Sequence, residues 1–267
     1  MKSVRLFILF VLVPLLVSAQ KRTNITALCD SLYKSYEVTG SFILYDLKKN
    51  RYTFYNKAQA TESFLPASTF KICNALIGLE TGVIKDEFFM IRWDSVVRNN
   101  PAWNRAQDLQ TAFRNSTVWY FQELARRVGY DRMKYWVTLA RYGNMDISGG
   151  IDRFWLDGGL RITPQQQIDF LVRLYKNKLP FSQRSMDIVK KIMVAESTRD
   201  HTLRAKTGWA IRVEPETGWY VGWVETKSGV WFFATCLQNS DPENIAFTRA
   251  RIDITMAILK KMNIIPR

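Results

Sequence analysis

Apolar positions along this chain switch between strand-like and helix-like spacing. The runs "GSFILYDL" and "RYTFYN", joined by the polar turn Lys48-Lys49-Asn50, predict a β-hairpin, with a short helix before it from Asn24 to Tyr36. From Ser68 to about Glu80, Phe70, Ile72, Cys73, Leu76, Ile77 and Leu79 point in several helical directions, which predicts a helix buried on most sides and stopped by Gly82. From about Trp93 to Ala195 the texture is largely helical. Breaks fall at Asn99 to Pro101, at Asn115-Ser116, at Gly143-Asn144, in the glycine-rich Ser148 to Gly159 and at Pro180, and a long loop is expected from Tyr142 to about Ile162. Beyond Thr202 the pattern turns to strand in "HTLRAKTGW", "GWYVGWVET" and "GVWFFATCLQ", before a last helix from about Ile245 to Met262. Strands, helices, strands and a helix in that order predict an α+β fold: one antiparallel sheet from the hairpin and the late strands, flanked by helices and a mostly helical lobe.

The first residues change the picture of the N-terminus. Lys2 and Arg5, an apolar run from Leu6 to Val17 and small residues ending at Ala19 read as a cleavable secretory leader, residues 1–19, so a secreted, periplasmic product is expected. No later stretch is long and apolar enough to span a bilayer. With 47% hydrophobic residues and nine tryptophans, residues 20–267 have material for one domain with a substantial core. The formal charge of +14 falls to +12 once Lys2 and Arg5 are removed, enough to steer an anionic ligand. The basic residues are scattered and match no nucleic-acid motif, so no nucleic-acid partner is expected. Cys29, Cys73 and Cys236 have no metal or disulfide spacing, and no metal is expected. The single histidine, His201, lies in polar "STRDHTLR" without a nucleophile elbow, and a surface or loop role is expected for it.

Candidate chemistry begins at "LPASTFK". Ser68 and Lys71 are three residues apart at a helix start, where backbone N–H groups and the helix dipole favour developing negative charge. A neutral lysine there can take the serine proton, provided burial or a cationic neighbour depresses its pKa by several units from about 10.4. The pattern also fits a helix cap beside a surface charge, and Ser31 and Lys34 repeat it in a setting without an apolar pocket. Weight comes from company: Ser116-Thr117-Val118 at a helix break, Tyr142-Gly143-Asn144 at the loop start and Lys206-Thr207-Gly208 at the end of a strand-like run. Singly these suit a cap, a helix stop and a turn; together and in order they follow the serine β-lactamase and penicillin-binding signature.

"LPASTFK", the Ser116-Thr117-Val118 triplet, "YGN", "FWLDGGLRIT" and "KTGW" followed by "GWYVGWVE" resemble the class D β-lactamases, the oxacillinase family, over roughly residues 30 to 265. Ser-x-Val in place of Ser-Asp-Asn separates them from class A. The resemblance implies a β-lactam hydrolase of the serine β-lactamase and transpeptidase fold. Ser68 would attack the lactam carbonyl, with the N–H groups of Ser68 and Trp209 as oxyanion hole. Lys71 would be N-carboxylated by carbon dioxide or bicarbonate, the only added group implied, in a pocket of Phe70, Val118, Trp155 and Leu156, with the Trp155 indole holding the carbamate. Ser116 would relay a proton with Lys206 nearby. Tyr142, Thr207, Gly208 and Arg249 would contact the substrate, Arg249 being preferred to Arg251 for its carboxylate. Arg212, in "IRVEP", takes the place of the arginine in the "TRIEP" of carbapenem-hydrolysing members, so penicillins and oxacillin are expected substrates with some activity on carbapenems. Cys73 stands where the family usually has proline, which is expected to leave a thiol near the carbamate. A sensor domain or a transpeptidase that acylates without efficient turnover is the alternative, and the chain could be a monomer or homodimer.

Overall fold

In the computed structural model, which describes residues 25–266, the predicted hairpin forms from β1 (Thr39–Asp46) and β2 (Arg51–Tyr55), with Asp46 opposite Arg51. The predicted leader lies outside the described residues. The late strands are β3 (Val194–Ser197), β4 (His201–Ala210), β5 (Glu216–Thr226) and β6 (Gly229–Asn239). All join one antiparallel sheet in the order β2-β1-β6-β5-β4-β3, in which β6 pairs with both β1 and β5.

Both faces of this sheet are covered, so the central strands are apolar on both sides instead of alternating. On one face Phe42, Leu44, Phe233 and Leu237 pack with α1 (Ile25–Ser35) and α8 (Phe247–Lys261) through Cys29, Tyr33, Ile254 and Ile258. On the other face Ile43, Phe232, Ala234 and Cys236 meet the larger cluster. That cluster is built from α2 (Lys71–Glu80), α3 (Leu109–Arg114), α4 (Val118–Val128), α5 (Tyr130–Leu139), α6 (Pro164–Tyr175) and α7 (Gln183–Ile192). Each fully buried Phe of these layers contributes about 2 kcal/mol of transfer free energy. Caps fix where the helices start. Asp108 accepts the Thr111 N–H ahead of α3, and Thr163 and Gln166 form a reciprocal capping box with Pro164 in the first turn of α6.

Three expectations change in detail. The helix from Ser68 starts as a 3-10 turn, Ala67–Phe70, and becomes α-helical only at Lys71. The helical texture ends at Ile192, and Val194–Ser197 form an exposed edge strand on β4. His201 is buried at the start of β4, not at the surface: its Nδ1 lies 3.2 Å from Thr198 Oγ1 and its Nε2 3.4 Å from Glu196.

Candidate active site

Ser68 sits in the 3-10 turn where it packs against β4. Ala67, immediately before it, has φ +47°, a left-handed value that costs a non-glycine residue about 1 kcal/mol or more. Its N–H donates to the Trp155 carbonyl at 3.0 Å, which ties the nucleophile turn to the long loop. Opposite, Gly208 lets the turn come close, since a Cβ there would lie 3.0 Å from the Pro66 carbonyl oxygen and 3.1 Å from Thr69 Cγ2. β3 pairs along β4 only as far as Arg204, and Ala205 donates its N–H to the Met193 carbonyl on that same side. Strand N–H groups alternate sides with a period of two residues, so those of Thr207 and Trp209 also face this unpaired edge, beside Ser68. An oxyanion hole shared by Ser68 and Trp209, as the resemblance implies, would use the Trp209 N–H on this edge.

Behind Ser68 stand two lysines. Lys71 Nζ lies 2.5 Å from Ser68 Oγ and 3.4 Å from Ser116 Oγ, and the side chain is 0% exposed. Ser116 occupies the break between α3 and α4 at φ +53°, and its Oγ accepts from Lys206 Nζ at 3.0 Å. Burial, with the nearby positive charge of Lys206, holds the Lys71 amine well below the usual lysine range. Burial, with Arg251 as the cationic neighbour, lowers Lys206 to about 7. A serine between two depressed lysines can take and return protons near neutral pH.

The pocket around Lys71 is aromatic. Phe70 meets Trp155 at 5.4 Å and Phe154 at 5.0 Å between ring centroids, and Leu156 is buried beside them. Val118 opens α4, and one turn later Phe121, which sequence reasoning missed, lies 5.5 Å from Lys71 Nζ. Its spacing of three from Val118 on one helix was the available signal. The Trp155 indole N–H is buried without a hydrogen-bond partner among the described residues. A buried donor on a ring that packs against Phe70, the neighbour of Lys71 in the chain, suits a carboxylate carried on Lys71.

Arg251, not Arg249, belongs to the site. Arg251 is 9% exposed, lies 5.9 Å from the Trp209 ring, and leaves Nε and Nη1 buried without hydrogen-bond partners among the described residues. Burial lowers its pKa to about 10. The Arg249 side chain is 80% exposed and lies 3.7 Å from Asp253. The helix explains the correction: Phe247, Ala250, Arg251, Ile254 and Ile258 share the buried face of α8, and position 249 lies off it.

Tyr142 is also displaced from its expected role. It is 1% exposed and packs edge-on to Phe70 and Phe170, so it supports the nucleophile helix from behind and does not line the groove. The Cys73 thiol is fully buried on α2, and burial pushes its pKa up. Lys206, Thr207 and Gly208 end on β4 as expected, and Lys206 Nζ also donates to the Thr207 carbonyl at 3.2 Å. Arg212 is exposed and lies 3.4 Å from Asp157, linking the β4–β5 hairpin to the long loop. Among the described residues no cluster of His, Cys, Asp or Glu is suited to a metal.

Comparison with known proteins places this geometry. The penicillin binding protein transpeptidase domain matches residues 34–262. Beta-lactamase OXA-48 of Klebsiella pneumoniae is 44% identical over 234 residues, which are 88% of this chain and 87% of that protein. The probable beta-lactamase YbxI of Bacillus subtilis is 42% identical over 247 residues, 92% of this chain and 89% of its own length. The crystal structure of the class D beta-lactamase YbXI from Nostoc superposes with a TM-score of 0.84 at 44% identity, covering 88% of this chain and 98% of that one.

Proposed function

The chain belongs to the class D serine β-lactamases, and on that premise we propose that it hydrolyses penicillins and oxacillin, with some activity on carbapenems, through an acyl-serine on Ser68. The observation that carries this reading is the 2.5 Å separation of Ser68 Oγ from a fully buried Lys71 that has no carboxylate partner among the described residues. Ser68 Oγ bonds to the lactam carbonyl carbon while its proton leaves towards Lys71. The N–H groups of Ser68 and Trp209 hold the oxyanion. The lactam C–N bond then breaks, and its nitrogen takes the Ser116 hydroxyl proton, which Lys206 replaces across 3.0 Å. Water next attacks the ester carbon as one of its protons passes to the base at Lys71, and the same proton returns to Ser68 Oγ as the ester bond breaks. Carboxylation of the Lys71 amine by carbon dioxide would supply the general base, held by the Trp155 indole among Phe70, Val118, Phe121 and Leu156. Thr207 and Arg251 fix the substrate carboxylate, for which the two unpartnered Arg251 donors are suited. The carbapenem part rests on Arg212 and its approach to Asp157.

The test is hydrolysis of a chromogenic cephalosporin and oxacillin by residues 20–267 with and without bicarbonate, alongside intact mass after brief drug exposure. Turnover that rises with bicarbonate and vanishes in Ser68→Ala is the expected result. A stable adduct without turnover would mean a sensor or transpeptidase, and no adduct would sink the Ser68 assignment. Imipenem left intact over hours would remove the carbapenem part alone. No helix among the described residues is long and apolar enough to cross a membrane, and export to the periplasm through residues 1–19 is part of the same proposal.

A further inference from the structure

The roles above make no use of Asn144, although its triplet opens the long loop. Its side chain ties the neck of that loop. Nδ2 donates to the Gly159 carbonyl at 2.9 Å, and Oδ1 accepts the backbone N–H groups of Arg161 at 2.9 Å and Asp146 at 3.2 Å. The Asn144 N–H donates to the Arg161 carbonyl at 2.9 Å. Gly143, at φ +55°, makes that approach possible, because a Cβ there would collide with the same carbonyl.

The tie continues inward. Leu160, next to the clamped Gly159, donates its N–H to the Phe154 carbonyl at 3.1 Å, and Phe154 adjoins Trp155. Trp155 in turn accepts the Ala67 N–H, one residue before the nucleophile. Phe64 and Ile162 exchange two further backbone bonds at 3.0 and 2.9 Å, which bolt the end of the loop to the same turn. Two hydrogen bonds therefore separate the Asn144 side chain from the residue beside Trp155.

We propose that Asn144 is a positioning residue for the Lys71 pocket: by closing the neck of the loop it holds the Trp155 indole N–H where it retains the carboxylated lysine, and so sets the affinity of Lys71 for carbon dioxide. This rests on the carbamate reading above. Asn144 is itself exposed, so water replaces its hydrogen bonds when the side chain is cut back, and the fold survives the loss.

The experiment is a carbon-13 NMR titration with labelled bicarbonate that follows the carbamate resonance, on the full mature chain. In Asn144→Ala the half-saturating bicarbonate concentration rises about three- to tenfold, the equivalent of one weakened hydrogen bond. Asn144→Asp keeps the acceptor, loses the donor to Gly159 and falls between. Adding Asn144→Ala to Trp155→Phe causes no further shift, because both act through the same indole. A merely structural role predicts additive shifts, and additivity overturns the proposal. So does an unchanged titration in Asn144→Ala, or failure of that variant to fold. A wild-type protein with no resonance that Lys71→Ala removes would defeat the carbamate reading itself, and the proposal with it.

Discussion

Two groups of basic side chains in this molecule live under opposite rules. On α4 and the long loop, Arg126 and Arg127 pair with Glu123, Arg126 also meets Asp152 at 2.6 Å, and Arg153 meets Asp157 at 2.6 Å, all near water. At the site, Lys71, Lys206 and Arg251 are buried together, and none of them has an ion-pair partner among the described residues. Exposed pairs contribute little to stability, whereas an unpaired buried charge costs several kcal/mol and is relieved by losing its proton. The difference teaches where the acid–base chemistry lies: cations deprived of carboxylates become groups that titrate near neutral pH or bind an anion from outside.

The contrast can be broken at graded cost. Lys71→Met, which keeps the volume, is expected to lower turnover by about 10³-fold while leaving the thermal midpoint unchanged or higher. A clear loss of stability would mean that the amine is a structural partner. Arg251→Ala should raise KM for penicillins by about 10- to 100-fold, as expected for a charged hydrogen bond, whereas Arg249→Ala leaves KM in place; steady-state kinetics on both variants decides between them. The third prediction concerns pH. Lys206 has its folded pKa lowered from 10.5 to about 7, so between those values the unfolded chain binds more protons and stability rises with pH. Thermal midpoints across that window should show the rise in the wild type and less of it in Lys206→Met. Smallest of all, Arg126→Ala should cost under about 1 kcal/mol in denaturant unfolding and leave kinetics untouched.

Much of this was legible in the chain. Ser68, Lys71 and Ser116 stand at a helix start and a helix break and Lys206 inside β4, all four marked by motif spacing, and β5 and β6 announced themselves because burial on both faces makes them largely apolar. What escaped lacked such a signature. "VAES" is short, fully exposed and without alternation, so Val194–Ser197 could not be told from the end of a helix. Arg251 was present in the periodicity of α8, where it shares a face with Phe247 and Ile254, but motif matching alone favoured its neighbour Arg249. Phe121 carried only its spacing from Val118, and Tyr142 is placed by tertiary packing against Phe70 and Phe170, which no local pattern encodes.

The unpaired half of β4 has a consequence beyond chemistry. A sheet edge with free N–H groups is a template on which other chains can aggregate, and proteins normally shield or charge it. Here the nucleophile turn packs against β4, and the oxyanion role proposed for the Trp209 N–H would require the edge to stay open at that residue. Solubility and activity compete for the same few residues. A slowly released β-lactam seated there acts as a borrowed strand, so the soluble yield on refolding should rise when such a compound is present.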